Sequence, residues 1–218
     1  MNKEWSQANK DMQTQLKKET TYKEGIATLI ALRKEMMDVL LAMKDDMSRD
    51  DFDALPCIQA NGYHSKNIAY SIWHIARIED IVAHSLIANE EQIFFKNKYQ
   101  ERIGSSIITT GNEFKKEEIR EFTKQLNIEE LYTYMLEVKT STEEILKSLS
   151  YKDLKKEIAE EKKAYLTSLR VVSTSEHAAW LIDYWCNKNI KGLIQMPFSR
   201  HWIMHVDACL RIKNKLHH

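Results

Sequence analysis

Apolar residues recur every three to four positions along much of the chain, which is the period of an amphipathic helix. In the first segment the pattern predicts a long helix over residues 5–47, with Gly25 as the point at which it could break. Pro56 predicts that residues 48–61 form a connection, because proline and the residue before it disfavour helix. The recurring apolar positions of this first helix are Ile26, Leu29, Ile30, Met36, Met37, Leu40, Leu41 and Met43.

A second helix is predicted over residues 65–88, starting from a serine that suits an N-cap. Apolar residues cover most of its circumference, so most of the helix should be buried. Arg77, Asp80 and His84 share a more polar arc with Trp73. This arc predicts a face that meets solvent or another surface.

The remaining pattern predicts further helices separated by one long connection. Asn127 with Glu130 three residues later is a helix start signal. Residues 165–172 fit either a helix or a short strand. The other predicted elements are a connection over 89–114, a short helix over 115–124, a long helix over 127–148, a charged helix over 153–164, a fourth main helix from a capping box at 173–176 to residue 195, and a final helix over 198–213 after a break at Gly192–Pro197.

Composition supports an all-α protein with one domain spanning residues 1–218. Only 5 Gly and 2 Pro occur, and sheet proteins with many tight turns usually need more of both. Lys+Arg and Asp+Glu balance at 32 each, which gives no general reason to bind nucleic acid or an anionic membrane. No apolar run is long enough to span a bilayer, and the first residues do not resemble a signal peptide. We therefore expect a soluble protein.

The cysteines favour a reducing compartment. Cys57, Cys186 and Cys209 are odd in number and far apart, and no Cys-x-x-Cys pair is present. A disulfide framework or a thiolate zinc finger is therefore not expected, and a cytoplasmic location is. His217 and His218 at the C-terminus are either native or part of a tag and are left out of the argument.

His201 and His205 are the first candidates for chemistry, because they are four residues apart on a predicted helix. Such residues share a face, with Cβ atoms about 5–6 Å apart, so both imidazoles can reach one metal. The pair alone is also compatible with an incidental arrangement. Cys209, one further turn along, is either near this site or a small buried apolar residue.

His74 lies in the middle of the apolar second helix and needs partners for its ring nitrogens. It is either a core histidine bonded to a neighbouring acceptor or the third ligand of a metal site. Three histidines would leave an open coordination position, as in catalytic zinc sites. An all-histidine set suits Zn, Ni, Fe or Cu and disfavours Mg or Ca, which prefer oxygen.

Two further residues are candidates for the catalytic machinery. Glu79 falls on the apolar arc of the second helix, where it either pairs with a buried cation or acts as a second-shell acceptor or general base. Arg200, beside His201, either meets an anionic substrate or lies on the surface. Trp180, Tyr184 and Trp185 are expected to belong to the core and to the wall of a pocket.

At this point the sequence resembles the DinB-like (DinB/YfiT) family. The resemblance rests on SIWHIARIEDI (71–81) and MPFSRHWIMHVDAC (196–209), with support from TGNEF (110–114) and WLIDYW (180–185), and it covers roughly residues 25–212. The resemblance implies a four-helix up-down-down-up bundle with extra short helices. It also implies a divalent metal (Zn, Ni or Fe) held by His74, His201 and His205, often in a homodimer.

By the same resemblance, a member of this family is expected to be a thiol-dependent S-transferase, or a related hydrolase or isomerase. Such an enzyme would act on a small-molecule substrate with a low-molecular-weight thiol. The alternative is a non-catalytic binding or stress-response bundle, in which the metal only stabilises the core. The break before the histidine pair leaves the approach of that pair to His74 as the point to test.

Overall fold

A computed structural model describes residues 2–217, and Met1 and His218 lie outside the described part. The predicted all-α class is confirmed: residues 2–217 form helices and turns and no β-strand. Glu157 and Asn189 make one isolated antiparallel bridge. Over the same residues, no helix combines the length and the apolar character that crossing a membrane requires.

The helices vary widely in length. Two π-helical segments adjoin them, Ile81–Ala88 directly after α4 and Met196–Arg200 directly before α12. The α-helices in chain order are α1 (Lys3–Gln15), α2 (Tyr22–Asp46), α3 (Arg49–Asp53), α4 (Ile68–Asp80), α5 (Ile93–Lys96), α6 (Tyr99–Ile103), α7 (Glu117–Lys124), α8 (Ile128–Ser148), α9 (Glu161–Leu169), α10 (Trp180–Cys186), α11 (Ile190–Ile194) and α12 (His201–Leu216).

Helices α2, α4, α8 and α12 pack around the core. Helix α4 contacts α8 and α12, and α2 contacts the same two helices, while α1 packs along α2. Side-chain caps fix the starts of the central helices, because Asn67 accepts a hydrogen bond from the Tyr70 N–H and Asn127 accepts one from the Glu130 N–H. The helix predicted over 127–148 is confirmed together with its cap.

The core consists of two hydrophobic clusters that follow one another along these helices. One contains Trp73 of α4 and Trp202 of α12. The other contains Ile78 of α4 and Phe198 just before α12. The histidine-bearing stretches of α4 and α12 therefore lie where the two clusters meet.

The helix predicted over 5–47 is interrupted, but the break lies ahead of Gly25, the point at which the sequence allowed one. The chain breaks at residues 16–21, before Gly25, and α1 turns back onto α2. The break falls in the polar run KKETT, which carries no proline or glycine to mark it. Gly25 lies inside α2, where a Cβ would meet the Leu16 side chain at 3.0 Å, so it permits the close packing of the two helices.

The later helices also differ from the pattern. The fourth main helix is replaced by turns over 173–179 and by the short helices α10 and α11. Asn189 lies between these two helices and is the N-cap of α11, because its side-chain oxygen accepts a hydrogen bond from the Gly192 N–H at 2.9 Å. The charged segment 153–164 contains only a 3₁₀ turn at Asp153–Lys155 and the start of α9, and α9 settles residues 165–169 as helix.

The polar arc of the second helix, predicted to meet solvent or another surface, does not meet solvent. Arg77, Asp80 and His84 are all buried. Asp80 accepts hydrogen bonds from the backbone N–H groups of Ile93 and Phe94, each at 2.9 Å. The connection after the helix therefore folds over the polar arc, and its backbone supplies the partners that water would otherwise supply.

Candidate metal centre

Three buried histidines from two helices meet at one place. His74 lies on α4, and His201 and His205 are the first and fifth residues of α12. Their ring centroids are 4.9, 4.9 and 4.6 Å apart. One nitrogen from each ring lies within 4.8 Å of the others, so the structure brings together the three residues that the sequence singled out.

The loop that follows α6 sets the orientation of His74. The Nδ1–H of His74 donates to the Thr110 carbonyl at 2.7 Å, which leaves Nε2 as the nitrogen available to a metal. Gly111 continues this loop with φ +79°, and a Cβ there would meet the Tyr70 ring at 3.0 Å. The loop therefore packs tightly against the same face of α4 that carries the histidine.

All three imidazoles are held in the neutral form that a metal requires. Burial lowers the pKa of His74 to about 4, although the hydrogen bond to Thr110 opposes the shift. Burial also places the pKa of His201 and of His205 well below the ordinary value, and each is lowered further by its neighbouring histidines. Neutral rings can therefore lie together at pH 7 without repulsion between charges.

The chemistry of the donor set fits a divalent transition metal. The Nδ1 atoms of His201 and His205 are buried and have no hydrogen-bond partner among the described residues. Such groups are rare unless a water or an ion completes them. A metal ion would give these nitrogens a partner, and three imidazoles are a donor set that zinc and similar metals accept.

The histidines line a cavity of about 710 Å³. Tyr70, His74 and Ile78 line one side of it from successive turns of α4. Tyr184 and Trp185 line another side, as the aromatic pattern predicted. A site that opens into a cavity of this size leaves room for a ligand beside the three rings, unlike a closed structural site.

The cavity is positively charged on its polar side. Lys66, Lys115 and Lys116 line it, and no aspartate or glutamate is among its lining residues. Burial lowers the pKa of Lys66 to about 8, so the ammonium group remains mostly protonated at pH 7. The charge of Lys66 also contributes to the lowered pKa of His74 and of His205.

The other candidates lie away from the three rings. The Glu79 carboxylate accepts two hydrogen bonds from Arg33, at 2.5 and 2.8 Å, and one from the Trp202 indole at 2.7 Å. These partners identify it as one half of a buried ion pair, and it does not line the cavity. Arg200 is exposed and does not line the cavity either. Burial raises the pKa of the Cys209 thiol to about 12, consistent with a core residue.

Sequence reasoning missed Lys66 and the Thr110 carbonyl. Lys66, Tyr70 and His74 follow one another at intervals of four, a spacing that could have placed the lysine on the histidine face. The pattern included Lys66 in the predicted helix, but in the structure Lys66 lies two residues before the start of α4. A backbone carbonyl has no sequence signal, so only the fold could identify Thr110.

A second buried polar cluster lies on the other side of α4. His84 is hydrogen-bonded through Nε2 to the Ser141 hydroxyl at 2.8 Å, and its Nδ1 lies 2.8 Å from Asp80. Burial opposes protonation of His84, but the hydrogen bond and charge of Asp80 outweigh it and raise the pKa. A raised pKa suits a charged structural partner better than a general base that must be neutral. We interpret this cluster as a link between α4 and α8.

Comparison with protein-family models and with curated proteins gives no match to this chain. The interpretation of the three-histidine site therefore depends on the positions and surroundings of its residues. Those residues come from distant parts of the chain, and they share one buried, open-sided location.

Proposed function

We propose that this protein is a metal-dependent enzyme of the DinB-like type, in which His74, His201 and His205 hold one divalent metal. The observation that carries the proposal is the convergence of three neutral histidines on the wall of a large cavity. Zinc, nickel and iron are the metals that such a donor set favours. The cavity distinguishes this proposal from a metal that only stabilises the core.

The fold belongs to the same proposal. We infer that α2, α4, α8 and α12 form a four-helix bundle, with the remaining helices as additions. Support comes from the contacts of α4 with α8 and α12 and of α2 with the same two helices, which close a ring. In this arrangement the ligands project inward from two neighbouring helices, as in other metal sites built in bundle cores.

The reaction that we propose joins a low-molecular-weight thiol to an electrophilic small-molecule substrate: the thiol loses its proton to solvent, its sulfur forms a C–S bond, and a leaving group departs from the same carbon with the electron pair of the broken bond. A bound divalent metal lowers the pKa of a thiol or water and supplies a nucleophile at neutral pH. The chain provides the orientation, because Thr110 fixes the ring of His74 and α12 fixes the spacing of His201 and His205. Aromatic side chains, among them Tyr184 and Trp185, line the space beside the three rings. A homodimer is part of the proposal through the family resemblance alone.

Metal analysis of untagged protein, purified without nickel resin, tests the proposal. We expect close to one equivalent of a transition metal per chain. His74→Ala should lower the metal content severalfold, because three ligands become two. His177→Ala is the matched control, since His177 lines the same cavity but lies outside the group of three.

A metal content that is low and equal in the wild-type protein and both variants would contradict the site. If metal is present, thiol dependence is tested next by adding cysteine or mercaptoethanol to the Co²⁺-loaded protein. The visible absorption should change in the wild-type protein. Stoichiometric metal with no response to any thiol would instead favour the non-catalytic bundle.

A further inference from the structure

The cavity is lined by a cation, Lys66, that is not in contact with a carboxylate of the described residues. Lys66 donates one hydrogen bond, to the Phe114 carbonyl at 2.9 Å, and no ion pair joins it to a carboxylate of residues 2–217. Its Nζ lies 4.8 Å from the centroid of the Tyr70 ring. That ring stacks on His74 at 5.3 Å. The ammonium group is therefore one aromatic ring away from the proposed metal.

The charge of Lys66 matters because the proposed metal site beside it would already be positively charged. Three neutral histidines leave the full double positive charge of a divalent ion uncompensated, whereas a carboxylate ligand would cancel part of it. Lys66 adds a further positive charge on the cavity wall, and Lys115 and Lys116 add two at exposed positions. None of the lining residues is acidic. Glu118 acts on Lys66 from outside this lining and compensates part of the charge, and an anion bound inside the cavity would compensate more of it.

We propose that the cavity binds a small organic oxyanion, and that Lys66 is the residue that holds its charged group. The binding of the anion is inferred only from the cavity and Lys66. The orientation of the anion toward the metal rests on the proposed function. Trp180 and Tyr184 line the same cavity, so an apolar or aromatic portion of the ligand can pack against them.

The first experiment uses metal-free protein and two fluorescent probes that differ by one charge. 8-Anilinonaphthalene-1-sulfonate carries a sulfonate, and N-phenyl-1-naphthylamine has the same aromatic body without it. Lys66→Gln removes the charge but keeps a donor for the Phe114 carbonyl, so the fold should be preserved. We expect the preference for the sulfonate to fall about tenfold in this variant, since a charge-assisted hydrogen bond contributes roughly that factor.

Two controls accompany this measurement. Lys66→Arg keeps the charge and should retain most of the preference. Lys96→Gln makes the same change of net charge at an exposed lysine outside this cavity and should leave the preference within about twofold of wild type. An equal preference in wild type and Lys66→Gln would overturn the proposal, whether or not the protein binds metal.

The second experiment uses Co²⁺-loaded protein with 3-mercaptopropionate and 3-mercaptopropanol. These thiols differ only in the anionic end, and binding is followed by visible absorption. We expect the carboxylate to bind more tightly in wild type and to lose about tenfold of that preference in Lys66→Gln. Failure to load Co²⁺ would contradict the proposed function while the probe result still decides the anion site.

Discussion

Burial lowers the pKa of each of the three histidines. An imidazole removed from water resists protonation, and neighbouring rings and the charge of Lys66 increase the effect at His205. The neutral state suits metal binding, but it makes the folded metal-free protein less stable at acidic pH. This loss of stability follows from the difference in proton uptake between the folded and the unfolded chain.

We predict that the metal-free protein loses stability as the pH falls from 7 to 5. The unfolded chain binds protons at histidine below about pH 6.5, whereas folded His74, with a pKa of about 4, stays neutral. Proton uptake by the unfolded state alone lowers the free energy of unfolding, by up to about 1.4 kcal/mol per pH unit for each such histidine. Urea unfolding at several pH values in the presence of a chelator measures the slope.

His74→Gln should make this slope shallower, because glutamine keeps a donor for the Thr110 carbonyl but does not titrate. His177→Gln, at an exposed histidine, should leave the slope unchanged. The raised pKa of His84 acts with the opposite sign, so comparison between variants is more informative than the total slope. Identical slopes in wild type and His74→Gln would show that burial does not keep this ring neutral.

At the scale of elements, one buried ion pair ties together the helices that carry the histidines. Arg33 of α2 pairs with Glu79 of α4, and Trp202 of α12 donates to the same carboxylate. The Arg33 guanidinium also lies 4.5 Å from the centroid of the Trp202 ring. Trp202 directly follows His201. The hydrogen bond from Trp202 to the buried ion pair therefore fixes the position of His201 along α4.

We predict that Glu79→Leu destabilises the fold by about 3–5 kcal/mol, because it leaves the charge of Arg33 buried without its main partner. Glu143 lies 3.4 Å from Arg33 and compensates only in part. The same variant should weaken metal binding, since the position of His201 relative to His74 is no longer fixed. Urea unfolding and metal titration measure the two effects.

The exposed pair of Lys34 and Asp38 provides the control for this prediction. Asp38→Leu should leave both stability and metal affinity close to wild type, because solvent already screens the pair. A Glu79→Leu protein with wild-type stability would contradict the assigned role. A destabilised protein with unchanged metal affinity would limit that role to folding.

Sequence pattern predicted the long helices well where local signals agree with packing. Asn127 and Glu130 mark the start of α8, and the His-x3-His spacing places two rings on one face of α12. The break in the first helix was allowed for at Gly25 and lies instead at residues 16–21, where no proline or glycine marks it. The interrupted stretch before α12 was missed in part because a capping-box pattern at 173–176 occurs without a helix.

The same contrast holds for the candidate site. Spacing and apolar surroundings made His74, His201 and His205 candidates, and the family resemblance implied that they act as one set. Arg77 and Asp80 were assigned to an outer face, because a helical pattern cannot show that the following connection covers it. The contribution of Lys66 depends on a cavity formed by distant segments, which no local pattern contains.

At the scale of the whole molecule, polar residues form a layer between two apolar clusters. Trp73 and Trp202 belong to one cluster, and Ile78 and Phe198 belong to the other. The histidines and the pair of Arg33 and Glu79 lie along the chain at the junction. A metal at this level would connect α4 to α12, whose ligands are separated by more than half of the sequence.

Metal removal should therefore lower the stability of the entire protein. An ion that binds only the folded chain stabilises it by about 2.7 kcal/mol when the free metal is at one hundred times its dissociation constant. For a protein of this size we expect the melting temperature to fall by roughly 5–11 °C when a chelator is added. In calorimetry, the chelator should lower the melting temperature of His74→Ala much less, because a metal held by His201 and His205 alone does not connect α12 to α4. His177→Ala should show the same fall in melting temperature as wild type. If chelation changes the melting temperature of His74→Ala as much as that of wild type, the stabilising ion lies elsewhere. The three histidines then do not link α4 to α12.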